Sequence, residues 1–205
     1  YLERFFMEAQ VTAQLEHPNI VPVYQMKTDG SNAGYAMKLI HGKTLGVLIN
    51  ETKKQLKKQG KLDKHNNLSA RLEHFLKVCD AMHYAHRKGV IHRDLKPQNV
   101  MVGSFNEVYV MDWGIAKIVS VDDDVFEDIT SMISSSEDDM GETKVGQILG
   151  TPAYMSPEQA NGQIDIIDHR SDLFSLGLIL FELVTLKRAY PTDENITVLQ
   201  KAKMA

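Results

Sequence analysis

The sequence predicts an α+β fold, and three observations carry that prediction. An opening stretch with helical periodicity is followed at once by two short strand-like runs. A second stretch, Leu68 to Arg87, repeats apolar side chains at helical spacing. A third, Leu173 to Leu186, is apolar nearly all round.

Taken in order, Leu2 to Leu15 reads as a helix, because Phe5, Glu8, Thr12 and Leu15 share one face. His17-Pro18-Asn19 ends it, since Pro18 restrains the residue before it. Ile20 to Gln25 and Tyr35 to Ile40 read as strands, with the turn residues Asp29-Gly30 and Asn32 between them, which makes a hairpin. His41-Gly42 breaks the pattern, and Leu45 to Ile49 starts a short helix. Glu51 to Asn67 is polar and Lys-rich and reads as a solvated helix end plus loop. In the next helix Leu72, Phe75, Leu76, Cys79, Met82 and His86 fall at helical spacing, and Gly89 is a stop signal. Val90-Ile91, Val100 to Val102 and Val108 to Met111 are short strands around loops. Leu173 to Leu186 is expected as a buried central helix.

Composition excludes several classes. The chain has 205 residues, 43% hydrophobic and 24% charged, which is ordinary globular usage. A net charge of -4 offers no general attraction to nucleic acid or anionic membrane. The single Cys79 excludes an internal disulfide framework and points to a reducing compartment. No signal peptide opens the chain, and Leu173 to Phe181, its longest apolar run, is too short to span a bilayer. A cytoplasmic location is therefore expected, with any membrane anchor lying outside this segment. The charge is uneven: nine acids and no Lys or Arg lie between Ile118 and Thr143. Without them 18 acids face 23 bases, so a body of +5 holds an acidic, Ser-containing insert at 120–142. That insert is unlike a segment that packs a core.

The chemistry concentrates in His92-Arg93-Asp94-Leu95-Lys96-Pro97-Gln98-Asn99. Asp94 is a carboxylate able to take a hydroxyl proton, and Lys96 can neutralise charge on a transferring group. Asn99 offers an amide oxygen to a hard cation such as magnesium. Asp112, in Met111-Asp112-Trp113-Gly114, supplies a second oxygen ligand at the end of an apolar strand, and Gly114 permits an unusual backbone turn.

These strings resemble the eukaryotic-like protein kinase family, in the form found in bacteria. The pattern H-R-D-L-x-x-x-N is matched in full by His92 to Asn99, and D-F-G appears as Asp112-Trp113-Gly114. The A-P-E region appears as Gly150-Thr151-Pro152-Ala153-Tyr154-Met155-Ser156-Pro157-Glu158. Ser171 to Gly177 looks like the start of the central helix of the family's larger lobe. Arg4 to Ala9 with His17 to Val21 looks like its αC helix and the loop and strand that follow. Five motifs in the right order are highly specific.

The resemblance implies a two-lobed kinase-like fold. Residues 1–40 would be a partial N-lobe and 41–205 most of the helical C-lobe, with an activation segment at 112–158. It implies ATP and Mg2+ as cofactors and protein Ser/Thr hydroxyls as substrates. Asp94 would be the catalytic base, Lys96 would contact the transferring phosphate, and Thr151 would support both. Asn99 and Asp112 would hold magnesium. Glu8 would be the glutamate that orients the ATP-contacting lysine. Met37 would be the gatekeeper, Lys38 and Ile40 the hinge, and Met101 the floor beneath adenine. Asp172 would bond the backbone of the His92–Arg93 turn, and a cap for the helix after it is a second role that does not exclude the first. Arg93 would bind a phosphate on the activation segment, best placed at Thr143, with the acids of the insert mimicking or competing with it. A kinase dimer for trans-autophosphorylation is a further expected partner, and nucleic acid is not.

The family's Gly-rich loop and strand lysine precede its αC helix, and here the motifs begin at that helix. Lys38 follows it, so Tyr35-Ala36-Met37-Lys38 is a decoy for the strand lysine. The expectation is an internal part of a longer protein, cut at both ends and inactive by itself. Two other readings compete. A pseudokinase scaffold would lack the lysine, but Asp94, Lys96, Asn99 and Asp112 are all present. A small-molecule kinase of related fold is disfavoured by the Gly150 to Glu158 loop.

Overall fold

The computed structural model describes residues 2–29, 32–113, 116–118, 150–190 and 197–205. Helix α1 (Leu2–Gln14) turns Val11 and Thr12 into the core, and Leu15 follows them. The side chain of Phe5, expected on that face, lies outside the described set. Strands β1 (Val23–Asp29) and β2 (Asn32–Met37) pair antiparallel, from Asp29 opposite Asn32 to Val23 opposite Met37. The predicted hairpin is present, but its strands sit closer to the turn than expected. Pro22 has no N–H for a ladder, so pairing begins after it, while Ile20 makes only an isolated bridge to Val110.

Where the sequence read a break, there is a strand. β3 (Gly42–Thr44) pairs with β5 (Val100–Gly103), which pairs in turn with β6 (Val108–Val110). Gly42 is a close approach, because a Cβ there would lie 2.1 Å from the Val102 carbonyl oxygen. Helix α2 (Leu45–Gln59) is capped by the Thr44 hydroxyl, which accepts from the Val47 N–H, and ends at Gly60 with φ 68°. It is longer than the short helix expected. Its Lys-rich end is not uniformly solvated either, since Lys53 turns inward to Glu182 at 2.7 Å.

Helix α3 (Leu68–Arg87) has the predicted bounds, with the Asn67 side chain accepting from the Ala70 N–H. The turn at Gly89 (φ 72°) leads into β4 (Val90–Ile91), paired with β7 (Lys117–Ile118). Later in the chain come α4 (Pro157–Ala160), α5 (His169–Thr185) and α6 (Val198–Met204). Ser156 and Gln159 close a reciprocal capping box at the start of α4.

The main core joins Val78, Met82 and Ala85 of α3 to Ile179 and Leu183 of α5 and to Val100 and Val110 of the sheet. Helix α5 corrects one expectation. It is apolar on nearly every side but buried on one, with Leu173, Phe181 and Val184 about half exposed. Its buried stripe includes Asp172, Ser175, Ile179 and Glu182, so polarity does not report which side faces inward. Among the described residues no helix is long and apolar enough to cross a membrane.

Ile179 is fully buried. Ile179→Ala is expected to destabilise the fold by about 3 kcal/mol, read as a lower urea midpoint at unchanged slope.

Candidate active site

The loop between β4 and β5 carries most of the chemistry, and α5 positions it. Asp172 has no accessible surface and lies inside α5, whose N-cap is Asp168. Its Oδ2 accepts from the His92 backbone N–H at 2.8 Å and contacts His86 Nε2 at 2.8 Å, while Oδ1 accepts from the Arg93 N–H at 2.9 Å. Of the two roles open to Asp172 from sequence, the structure selects the bond to the turn. That turn needs help, because Arg93 has φ 65°, a left-handed conformation unfavourable for a side chain with a Cβ. Gln159 Nε2 also donates to the Arg93 carbonyl at 2.6 Å, so the capping residue of α4 grips the same turn.

Four of the expected residues meet directly. Lys96 Nζ donates to Asp94 Oδ2 at 2.5 Å and to Thr151 Oγ1 at 2.8 Å. Thr151 Oγ1 donates to Asp94 Oδ1 at 2.8 Å. Asn99 Nδ2 donates to the Asp94 carbonyl at 3.0 Å, which leaves its amide oxygen to meet a cation. Gly150, with φ 112°, lets the Thr151 loop close on this group; a Cβ there would lie 3.0 Å from the Arg93 carbonyl oxygen and 3.6 Å from Asp94 Oδ1.

Asp112 is exposed and also left-handed, with φ 65°. Trp113 beside it is fully buried, its ring 4.7 Å from that of His92. His92 Nε2 lies 3.1 Å from the Met111 carbonyl oxygen, tying the segment before Asp112 to the loop of Asp94. Gly114 lies outside the described residues. A carboxylate and an amide oxygen suit magnesium, which takes few protein ligands and completes its shell with phosphate and water. Among the described residues no three His, Cys, Asp or Glu side chains form a closed metal cage.

Glu8 is half-buried, and burial raises its carboxyl above the ordinary range. The Tyr35 hydroxyl, donating to Glu8 Oε1 at 3.1 Å, opposes that shift, and the charge of Asp112 adds to it. Sequence reasoning missed Tyr35, although period two places it on the face of β2 that carries Met37. Met37 ends β2 and is half exposed. The Lys38 N–H donates to the Pro22 carbonyl at 3.0 Å, so it is engaged within the fold. Lys38 Nζ donates to Tyr109 Oη at 2.5 Å, far from the role of the decoy motif. Ile40 lies in the link to β3, and Met101 lies on β5 opposite Thr44 and Tyr109.

Arg93 Nη2 donates to the Ala116 carbonyl at 3.2 Å, which directs the guanidinium toward the stretch that follows Asp112. Thr143 and the acidic insert lie outside the described residues. The far side of the Thr151 loop is anchored at Tyr154, whose hydroxyl donates to buried Glu182 at 2.6 Å. Burial, reinforced by that carboxylate, raises the Tyr154 hydroxyl far above its usual range. Glu158 accepts from the Ser171 hydroxyl, joining α4 to α5.

Asp172→Ala would leave the His92 and Arg93 N–H groups buried without their acceptor. It is expected to cost about 3 kcal/mol of stability by chemical denaturation.

Comparison with known proteins places these features in a family. The family described as "Protein kinase domain" matches residues 1–205. The serine/threonine-protein kinase PknD of Protochlamydia amoebophila is 40% identical over 191 residues, which is 92% of this chain and 19% of that protein. The proteins of the same name from Chlamydia caviae and Chlamydia trachomatis serovar D are 35% and 36% identical, each match covering 92% of this chain and 20% of theirs. The chain thus spans about a fifth of the length of the curated relatives it matches.

Proposed function

The chain belongs to the protein kinase domain family, and on that premise we propose that it is the catalytic core of a serine/threonine kinase, which transfers the γ-phosphate of ATP to protein hydroxyls. The observation that carries this reading is the closed triangle of Asp94, Lys96 and Thr151. A carboxylate, an ammonium and a hydroxyl held together beside a cation-binding amide form a site that can accept a proton and neutralise phosphate charge. Little covalent chemistry is required of the protein, so positioning and electrostatics supply most of the catalysis.

In this reading Asp94 accepts the proton of the substrate hydroxyl. Lys96 stands against the transferring group, and its present bonds to Asp94 and Thr151 keep the ammonium at that carboxylate. Asn99 and Asp112 hold magnesium, which supplies charge neutralisation at the phosphates when bound. Met37, Lys38, Ile40 and Met101 line the nucleotide base, and Glu8 orients the ATP-contacting cation. Arg93 receives a phosphate from the activation segment, with Thr143 as its site. Residues 1–40 act as the N-lobe portion and 41–205 as the C-lobe. Protein substrates, a second kinase copy for trans-autophosphorylation, and action in the cytoplasm belong to the same proposal. The 40% identity to a protein named as a serine/threonine kinase supports the enzyme over the scaffold alternative, as does the presence of Asp94, Lys96, Asn99 and Asp112.

Asp94→Asn in the full-length protein removes the proton acceptor while keeping the shape of the side chain. Transfer from ATP is expected to fall by about 100-fold or more, with nucleotide binding retained in a fluorescence titration. Turnover close to that of the unaltered enzyme would overturn the role of Asp94.

A further inference from the structure

We propose that Tyr35 is a positioning residue for Glu8, its hydroxyl setting the direction in which the Glu8 carboxylate is presented to the ATP site. The proposal rests on the reading of Glu8 as the acid that orients the ATP-contacting cation. Tyr35 lies on β2 and Glu8 on α1, 27 residues apart, and the phenol donates to Oε1 at 3.1 Å. Around it on β2, Gly34, Ala36 and Met37 are exposed, whereas Tyr35 is half-buried. The side chain is therefore turned from the hairpin toward the helix.

The chemistry of the pair is asymmetric. Burial and the neighbouring carboxylate push the phenol up to about 12, so it stays protonated and acts as a donor at any physiological pH. A carboxylate has two oxygens. With Oε1 engaged by the phenol, Oε2 remains as the acceptor for a cation. The contact also ties α1 to the hairpin strand that ends at Met37, so the orientation of Glu8 and the edge of the base site are set together. On the helix side, the Thr12 hydroxyl donates to the Glu8 carbonyl at 2.6 Å and steadies the same turn.

The test is a double-mutant cycle in the full-length protein, with Tyr35→Phe, Glu8→Gln and the pair. Autophosphorylation from radiolabelled ATP is followed at varied ATP, with rates normalised to nucleotide-binding sites. Removing a donor from a charged acceptor is expected to lower kcat about tenfold, with the KM for ATP changed by less than about twofold. Glu8→Gln is expected to lower kcat at least as far, and Tyr35→Phe added to Glu8→Gln to have no further effect. A thermal midpoint for Tyr35→Phe close to that of the unaltered protein accompanies this result. If Tyr35→Phe leaves kcat unchanged while Glu8→Gln lowers it, the positioning role is wrong and the reading of Glu8 stands. If Tyr35→Phe lowers activity equally in both backgrounds, the residue acts through general stability and the proposal fails. If Glu8→Gln is fully active, the reading of Glu8 fails and the proposal falls with it.

Discussion

One buried carboxylate organises the rest of the site. Asp172 sits in α5, packed in the main core, and accepts from the backbone N–H groups of both His92 and Arg93. A charge without solvent is costly unless its lone pairs are satisfied, and here backbone donors satisfy them, with His86 adding a further polar contact. The turn it holds has a left-handed arginine, a conformation that a free loop would abandon. Asp94 follows that arginine directly, so its carboxylate is placed by a turn that α5 holds.

The loop of Thr151 is held from the same scaffold by different bonds. Thr151 touches Asp94 from one end of the loop. At the other, Tyr154 donates to Glu182, its carbonyl accepts from Ser175, and Glu182 is paired with Lys53 of α2. One helix, α5, therefore supplies Asp172 to the loop of Asp94 and Ser175 and Glu182 to the loop of Thr151. These three share the buried stripe, spaced as one helical face requires. A site that works by positioning benefits when both loops refer to a single rigid element.

The parts of this arrangement that could be read in advance are those in which function demands a particular residue in a particular order. His92 to Asn99, Asp112 and Gly150 to Glu158 are such strings, and Asp94, Lys96, Asn99 and Thr151 do converge in the structure. Other features depended on partners far away in the chain. Gly42 looked like a break, but it is a close approach to Val102. Lys53 looked like one solvated lysine among many, but Glu182 lies 129 residues away and draws it in. Tyr35 carried only the weak signal of alternation with Met37, and its partner Glu8 lies on another element.

The sequence by itself determined the α+β class, the bounds of α3, the hairpin and the identity of the chemical groups. It could do so because helical period, turn residues and reactive side chains are local properties of the chain. Only the tertiary structure decided which face of α5 is buried, that β3 exists, that Asp172 binds a turn rather than caps a helix, and that Tyr35 meets Glu8. Those outcomes are settled by pairing and burial between distant segments, where a polar group is placed by the partner that satisfies it and not by its neighbours in sequence.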